Sequence, residues 1–339
     1  VSFRGEPIAL VIAESLEAAI EGAEAMRPVY TEEPFQASAD GLEADREEAE
    51  PYVAGDAAAV MATASATVSE TYESPTQHHN PIELFTTTCA WEGGKLTIHE
   101  PSQFVYGLKN SMAERLDMNA DDIHVVSPFI GGGFGSKAQM TPRTGLVALA
   151  ARKLNRPVKL VATRDQGYTV STYRAETRHH VKLGAQADGK FVAYWHEGQE
   201  VTSRPDAYSV SGTEETSHLY DFGAIHTQVD IVHTDRSTPG FMRSPPVVPY
   251  VYALESAIDE LAVKLKMDPV ELRRKNDSMT DSFGKEYSSR SLMACYDAAA
   301  KAFGWSGRNA EPGSMRDGDW LIGWGCASAY YPTKMGAAC

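Results

Sequence analysis

Four short stretches hold the residues whose types and spacing could do chemistry. The first, Ile130-Gly131-Gly132-Gly133-Phe134-Gly135-Ser136-Lys137, lies between a strand pattern and a helix pattern. Glycines lack the Cβ that keeps main chain away from a ligand, so such a loop can bring N–H groups close to an oxygen. It is not a P-loop, because its end reads Gly-Ser-Lys rather than Gly-Lys-Ser/Thr, and it is not a dinucleotide fingerprint, because Ser136 stands where the last glycine of GxGxxG belongs. A tight strand-to-helix turn would use the same glycines, although Phe134 is unusual in one. The second stretch, Gln77-His78-His79-Asn80-Pro81-Ile82-Glu83, offers two imidazoles and a carboxylate. Adjacent histidines on a strand point to opposite faces, and Glu83 has no second histidine four residues on. Hydrogen-bonded structural roles are therefore expected over metal ligation, and the same holds for His179-His180.

The third stretch, Pro239-Gly240-Phe241-Met242-Arg243-Ser244-Pro245-Pro246, presents Arg243 between proline-rich corners. Its planar guanidinium grips an anion if it lines a pocket and otherwise forms a surface ion pair. In the fourth, Pro101-Ser102-Gln103-Phe104, Gln103 precedes a helix pattern and on its own is at most a capping residue.

The elements that must position these groups follow from periodicity. Pro7–Ala13, a helix from Leu16 to Met26 and Pro28–Tyr30 suggest a βαβ-like unit, followed by an acidic, irregular linker over 38–56. Strands are expected at 66–72, 85–91, 95–99, 123–126, 158–162, 181–185, 191–195 and 224–232. The Glu92-Gly93-Gly94 and Asp188-Gly189 turns make two hairpins among them. Helices are expected at 108–116, 146–154, 252–265, 269–276 and 292–303. Asp268, Pro269 and Glu271 give the fourth of these a reciprocal capping signature. Residues 200–222 lack periodicity, 306–318 read as a linker, and Trp320–Ala329 reads as a strand.

The chain has 339 residues, enough for about two domains and a large core without disulfides. Its net charge of −15 repels phosphate backbones and argues against nucleic acid as the main partner. No run reaches the roughly 18 to 20 apolar residues of a membrane span. Cys89, Cys295, Cys326 and Cys339 are widely spaced and form no CxxC pair, so they make no zinc site, iron–sulfur site or disulfide framework by pattern. The sequence reads as part of something longer.

In order and separation, these stretches resemble the large molybdenum-binding subunit of the xanthine oxidase/aldehyde oxidase family. Gly5-Glu6-Pro7-Ile8-Ala9-Leu10-Val11 is similar to the end of that family's α/β hammerhead domain, Gln77–Glu83 to the segment opening its first cofactor domain, Gly132–Gly135 to its GGFG loop, and Met242-Arg243-Ser244-Pro245 to its arginine loop. Asp268–Asn276 matches a further family signature. Asn309–Gly325, above all Met315–Gly323, resembles bacterial periplasmic-type aldehyde oxidoreductase subunits.

The resemblance implies an α+β fold: residues 1–50 close the hammerhead domain, 51–306 form the first molybdopterin-binding domain of mixed strands and helices, and 307–339 link to a second one. It implies molybdopterin with molybdenum, in the cytosine dinucleotide form of bacterial members. Gln103 would hydrogen-bond an oxo ligand of the metal, Gly132, Gly133, Phe134 and Gly135 would approach the cofactor, and Arg243 would contact it. The metal would be held through the pterin, with no direct protein ligand. A [2Fe-2S] small subunit and an FAD subunit are implied partners, and an aldehyde the substrate, oxidised to a carboxylic acid with water-derived oxygen. The general base lies beyond Cys339 in the family pattern, so this chain alone is expected to be inactive. Ala138 replaces a glutamate of purine-oxidising members, which disfavours purines. Tyr331 stands where aldehyde-oxidising relatives carry arginine, which leaves substrate preference open. An N-heteroaromatic hydroxylase and a non-catalytic scaffold subunit are the rival readings. The resemblance further implies cofactor loading in the cytoplasm, with export where a partner carries a twin-arginine signal.

Overall fold

The computed structural model describes residues 1–40, 45–210, 212–245 and 247–331. Cys339 and the rest of 332–339 in the expected second-domain segment therefore lie outside the described residues, as do 41–44 of the expected acidic linker.

Ser15 caps helix α1 (Leu16–Ala25) by accepting the Ala18 N–H at 3.2 Å, yet no residue of α1 is buried. The strands expected at Pro7–Ala13 and Pro28–Tyr30 do not form. Neither segment has a neighbouring strand to take its backbone hydrogen bonds, and Ile8, Val29 and Tyr30 stay exposed. The βαβ expectation is thus reduced to its helix.

The large sheet is built from β1 (Arg46–Glu47), β2 (Tyr52–Ala54) and, after helix α2 (Ala57–Met61), β3 (Ala66–Ser74). The chain then leaves it for a smaller sheet: β4 (Thr86–Glu92), β5 (Lys95–His99), helix α3 (Val105–Leu116), β6 (Ile123–Val126), helix α4 (Pro142–Leu154) and β7 (Val158–Val161). A short α5 (Arg164–Gly167) leads back to β8 (Thr177–Ala185), β9 (Phe191–Ser203), α6 (Thr213–Ser217) and β10 (Ala224–Thr234). The large sheet runs β1-β10-β9-β8-β3, with β2 also on β10; the smaller runs β6-β5-β4-β7. The aperiodic stretch 200–222 therefore contains the end of β9 and the small helix α6, both packed against the sheet rather than solvated.

The β4–β5 hairpin turns on Gly93 and Gly94, both at positive φ (56° and 82°), with Glu92 opposite Lys95. This is the two-residue geometry that matches strand twist, and only glycine adopts it freely at both positions. Helix α7 (Val247–Leu265) lies across β3 and β8. Its buried face of Leu254, Ile258 and Leu261 packs with Val68, Leu183, Tyr194 and Phe222 in the main core. Each such aliphatic side chain contributes roughly 1.5–3 kcal/mol on burial. A second core under the smaller sheet joins Ile98, Met112, Val147 and Ala151.

Asp268 caps α8 (Pro269–Lys275), accepting from the Val270 and Glu271 N–H groups at 2.8 and 3.3 Å. The reciprocal half of the expected box is absent, because Glu271 turns to Arg274 (3.1 Å). Within α8, Arg273 is fully buried against Glu255 at 2.6 Å and Asp259 at 2.8 Å. Helix α9 (Leu292–Phe303) follows; beyond it, among the described residues, Trp320–Leu321 pairs only with Arg316–Asp317, an exposed hairpin in place of the expected long strand. No helix among the described residues is long and apolar enough to cross a membrane.

Candidate functional site

β5 and β6 run parallel, with Leu96 opposite Ile123 and His99 opposite Val126. Their carboxyl ends therefore open at the same edge, which is where open α/β sheets present ligand-binding loops. Gln103 lies in the loop leaving β5, and Gly131–Gly135 in the loop leaving β6. The two loops are stitched together: the Ser102 N–H donates to Ser127 Oγ at 2.9 Å, and the Gln103 N–H donates to the Lys137 carbonyl at 2.8 Å.

Gln103 does not cap α3, whose N-cap Phe104 makes no side-chain capping bond. Its Oε1 instead accepts the Gly135 N–H at 2.9 Å and the Lys137 N–H at 3.3 Å. Both partners are donors, so the orientation of the amide follows: the oxygen faces the loop and the NH2 faces away from it. That NH2 makes no hydrogen bond among the described residues.

Two of the glycines are spatial requirements. A Cβ on Gly133 would sit 2.6 Å from Gln103 Cδ, and one on Gly135, at φ +109°, would strike the Phe241 carbonyl. Phe134 between them is left-handed (φ 55°), and its carbonyl accepts the Arg243 N–H at 3.0 Å. The Arg243 guanidinium carbon lies 6.0 Å from the centroid of the Phe134 ring. Gln103, Phe134 and Arg243, separated by 140 positions of sequence, thus meet in one place.

The four glycine-loop positions do not play equal parts. The Glu83 carboxyl is held below the usual carboxylate range, chiefly by Lys137 and further by N–H groups including that of Gly132. Lys137 Nζ, almost wholly buried, donates to Glu83 Oε1 at 2.6 Å and to the Ile130 carbonyl at 2.7 Å. Gly135 thus spends its N–H group on holding Gln103 against the loop. The N–H groups of Gly133 and Phe134 have no hydrogen-bond acceptor among the described residues, nor does the Arg243 guanidinium, whose contact is with the Phe134 ring. The open functions are all donors, and Arg243 is cationic. That set fits an anionic group with acceptor oxygens, and the missing Cβ of Gly133 lets the Gln103 amide lie directly against the loop backbone.

His79 takes the hydrogen-bonded structural place expected of it, whereas His78 packs against the Tyr168 and Tyr173 rings with its Nδ1 buried and without a hydrogen bond. His79 Nε2–H donates to the Phe241 carbonyl at 2.6 Å, and burial pulls the pKa of both rings down, which keeps them neutral. Among the described residues no three His, Cys, Asp or Glu side chains could together hold a metal ion.

One residue escaped sequence reasoning. Arg174, just ahead of β8, donates from Nη2 to the carbonyls of Met242 and Arg243 at 2.6 and 2.8 Å. It lies in a stretch without periodicity or motif, so nothing local marks it.

The molybdopterin cofactor-binding domain family matches residues 42–277, which takes in both sheets and every group just described. The chain belongs to that family. It is 34% identical over 331 residues to the aldehyde oxidoreductase molybdenum-binding subunit of Escherichia coli (strain K12), covering 96% of this chain and 45% of that protein. The aldehyde oxidoreductase of Desulfovibrio gigas superposes with a TM-score of 0.79 at 27% identity, over 87% of this chain and 34% of that one. The quinoline 2-oxidoreductase of Pseudomonas putida 86 shares the fold (TM-score 0.80, 21% identity, 87% of this chain and 41% of that one). The chain spans less than half the length of these relatives. Membership in the molybdopterin-binding family and the mixed α/β architecture agree with the fold and cofactor type expected from the sequence.

Proposed function

We propose that this chain forms the metal-facing half of the cofactor cradle in a molybdenum-dependent aldehyde oxidoreductase, one subunit of an assembly with [2Fe-2S] and FAD partners. The observation that carries the reading is the meeting of Gln103, the Gly133–Phe134 main chain and Arg243 beside the shared edge of two parallel strands, where the Gln103 NH2, the Gly133 and Phe134 N–H groups and the Arg243 guanidinium have no hydrogen-bond acceptor among the described residues. When bound, a molybdopterin cofactor, in the cytosine dinucleotide form, supplies the redox chemistry that hydroxylates an aldehyde carbon with water-derived oxygen.

The protein's part is placement and electrostatics. Gly135 and Lys137 hold the Gln103 amide so that its NH2 is offered to an oxo-type acceptor. Phe134, forced left-handed, leaves its N–H and that of Gly133 unspent. Arg243 supplies the compensating charge. A general base is expected further along the full-length chain, and none of the described carboxylates is given that role. Glu83, the carboxylate nearest the loop, is engaged by Lys137. Ala138 after the loop lysine leaves no carboxylate there to bind a purine, which supports an aldehyde substrate.

We further infer that the hammerhead end, first cofactor domain and start of the second divide near 50 and 306. Helix α1, with no buried residue and no place in either sheet, supports a first division in this region, although the large sheet already takes in Arg46–Glu47.

The test is metal and nucleotide analysis of the full-length protein with its partner subunits, together with aldehyde oxidation by an artificial acceptor. Stoichiometric molybdenum and cytidine monophosphate with turnover of aromatic aldehydes are expected. Correctly matured protein without molybdenum rejects the reading, and a preference for N-heteroaromatic rings over aldehydes rejects the substrate class.

A further inference from the structure

The side chain of Arg174 is among the most buried charges in the protein, with 4% of the residue exposed. Buried arginines here otherwise pair with carboxylates: Arg273 with Glu255, and Arg143 with Glu100 at 2.8 Å. Arg174 has no carboxylate partner among the described residues. Its Nη2 reaches two consecutive carbonyls, those of Met242 and Arg243, while Nε and Nη1 are buried without a hydrogen bond. A desolvated, unpaired guanidinium is costly, and burial, with Arg243 adding to it, draws its pKa down from the usual arginine range. Such a residue is not accounted for as a stabilising ion pair.

What it touches is a turn held in an unfavourable conformation. Arg243 (φ 25°) and Ser244 (φ 56°) are both left-handed without being glycine, at a cost of order 1–3 kcal/mol each. Such a turn persists only where its surroundings over-determine it. Four bonds do so: two from Arg174, the His79 Nε2–H on the Phe241 carbonyl, and the Arg243 N–H on the Phe134 carbonyl. Arg174 is itself fixed, because its backbone exchanges two hydrogen bonds with Gln77, at 2.9 and 3.1 Å.

We propose that Arg174 is the positioning residue of the arginine loop: its guanidinium clamps the Met242 and Arg243 carbonyls and so delivers the Arg243 side chain to the glycine loop. Its effect on turnover rests on the cofactor-binding reading; the clamp itself does not. Removing it leaves two neighbouring carbonyls without their donor, and the left-handed turn relaxes.

The experiment uses the full-length protein with its partner subunits and the variants Arg174→Met and Arg174→Lys. Hydrogen exchange is followed on a peptide covering Phe241–Ser244 and on peptides from β8 and β9. Arg174→Met should exchange at least about tenfold faster at 241–244, with the sheet unchanged. Arg174→Lys should be about threefold faster there, because the shorter lysine chain brings its ammonium less fully to the two carbonyls that Nη2 reaches; this variant carries the test if the methionine protein does not fold. Unchanged exchange at 241–244, or equal acceleration throughout the sheet, overturns the proposal. In turnover, Arg174→Met should lower kcat in the native background but not further in an Arg243→Met background, whereas independent, multiplying losses overturn it. Wild-type protein without molybdenum would sink the cofactor reading while leaving the exchange result to judge the clamp.

Discussion

The Oε1 of Gln103 accepts the N–H of Gly135 at 2.9 Å, so the glycine loop decides which end of the amide faces the site. A side chain that sequence alone places at a helix start thereby becomes a fixed donor. Gln103→Ala removes that donor while leaving Gly133, Phe134 and Arg243 in place. Loss of one preorganised donor of this kind typically costs about 10²- to 10³-fold in kcat. Molybdenum content should stay close to that of the wild type, so kcat and metal content measured together separate the two effects. Gln103→Glu should behave alike in turnover, since a carboxylate can still accept from Gly135 but offers no N–H on its far side.

The glycine positions differ in what substitution costs. Gly133→Ala places a methyl against the Gln103 amide, 2.6 Å from Cδ, a flexible neighbour that can swing away. Gly135→Ala meets the Phe241 backbone at a φ of +109°, where neither side yields. Gly135→Ala should therefore destabilise the domain by several kcal/mol, counting about 1–3 for the backbone conformation and a similar amount for the clash. Gly133→Ala should cost less than half of that yet still lower turnover. Urea midpoints for the two variants check the order, and a more stable Gly135→Ala protein would contradict it.

Legibility from sequence followed the range of the interactions. The β4–β5 hairpin, the Asp268 cap and helix α9 rest on neighbours within a few residues, and their patterns lie open in the sequence. Pro7–Ala13 has the composition of a strand but no partner among the described residues, and pattern cannot supply one. The extension of β9 to Ser203 depends on β10, more than twenty residues further on, which no local window sees. At the site, the glycine loop, Gln103 and Arg243 were visible through their motifs. The meeting of those residues, the unequal duties of the glycine N–H groups and the role of Arg174 all depend on contacts across tens of residues.

The Asp268–Asn276 signature is a packing device. Arg273 has no solvent exposure and bonds Glu255 and Asp259, while Glu255 also accepts from Tyr220 and from the Ser328 N–H at 3.0 Å. Burial pushes the Glu255 pKa up and Arg273 opposes it. Arg273→Leu leaves that carboxylate buried without its cation, a loss of roughly 3–5 kcal/mol by analogy with broken buried pairs. Joint replacement of Arg273 and Glu255 by apolar residues of similar volume should recover much of it. Denaturant unfolding of the single and double variants decides, and equal losses in both would refute the pairing.

Stability should also fall with acid through two buried imidazoles. His179 Nδ1 and His196 Nε2 lie 3.0 Å apart, and His196 also contacts the Tyr194 hydroxyl at 2.7 Å. Burial lowers the His179 pKa to about 3 and carries that of His196 well below its ordinary value, with His179 and His180 adding to the latter. Both rings are thus neutral in the fold, whereas an unfolded histidine protonates near 6.5. The stabilisation is complete above that pH and is lost as the pH drops toward the folded values, because only the unfolded chain takes up the protons. Each ring can contribute up to about 1.4 kcal/mol per pH unit in that window. Urea midpoints between pH 8 and pH 4.5 should therefore decline more steeply in the wild type than in His179→Gln, by one proton's slope. Parallel declines would mean that the imidazoles are already protonated in the folded protein.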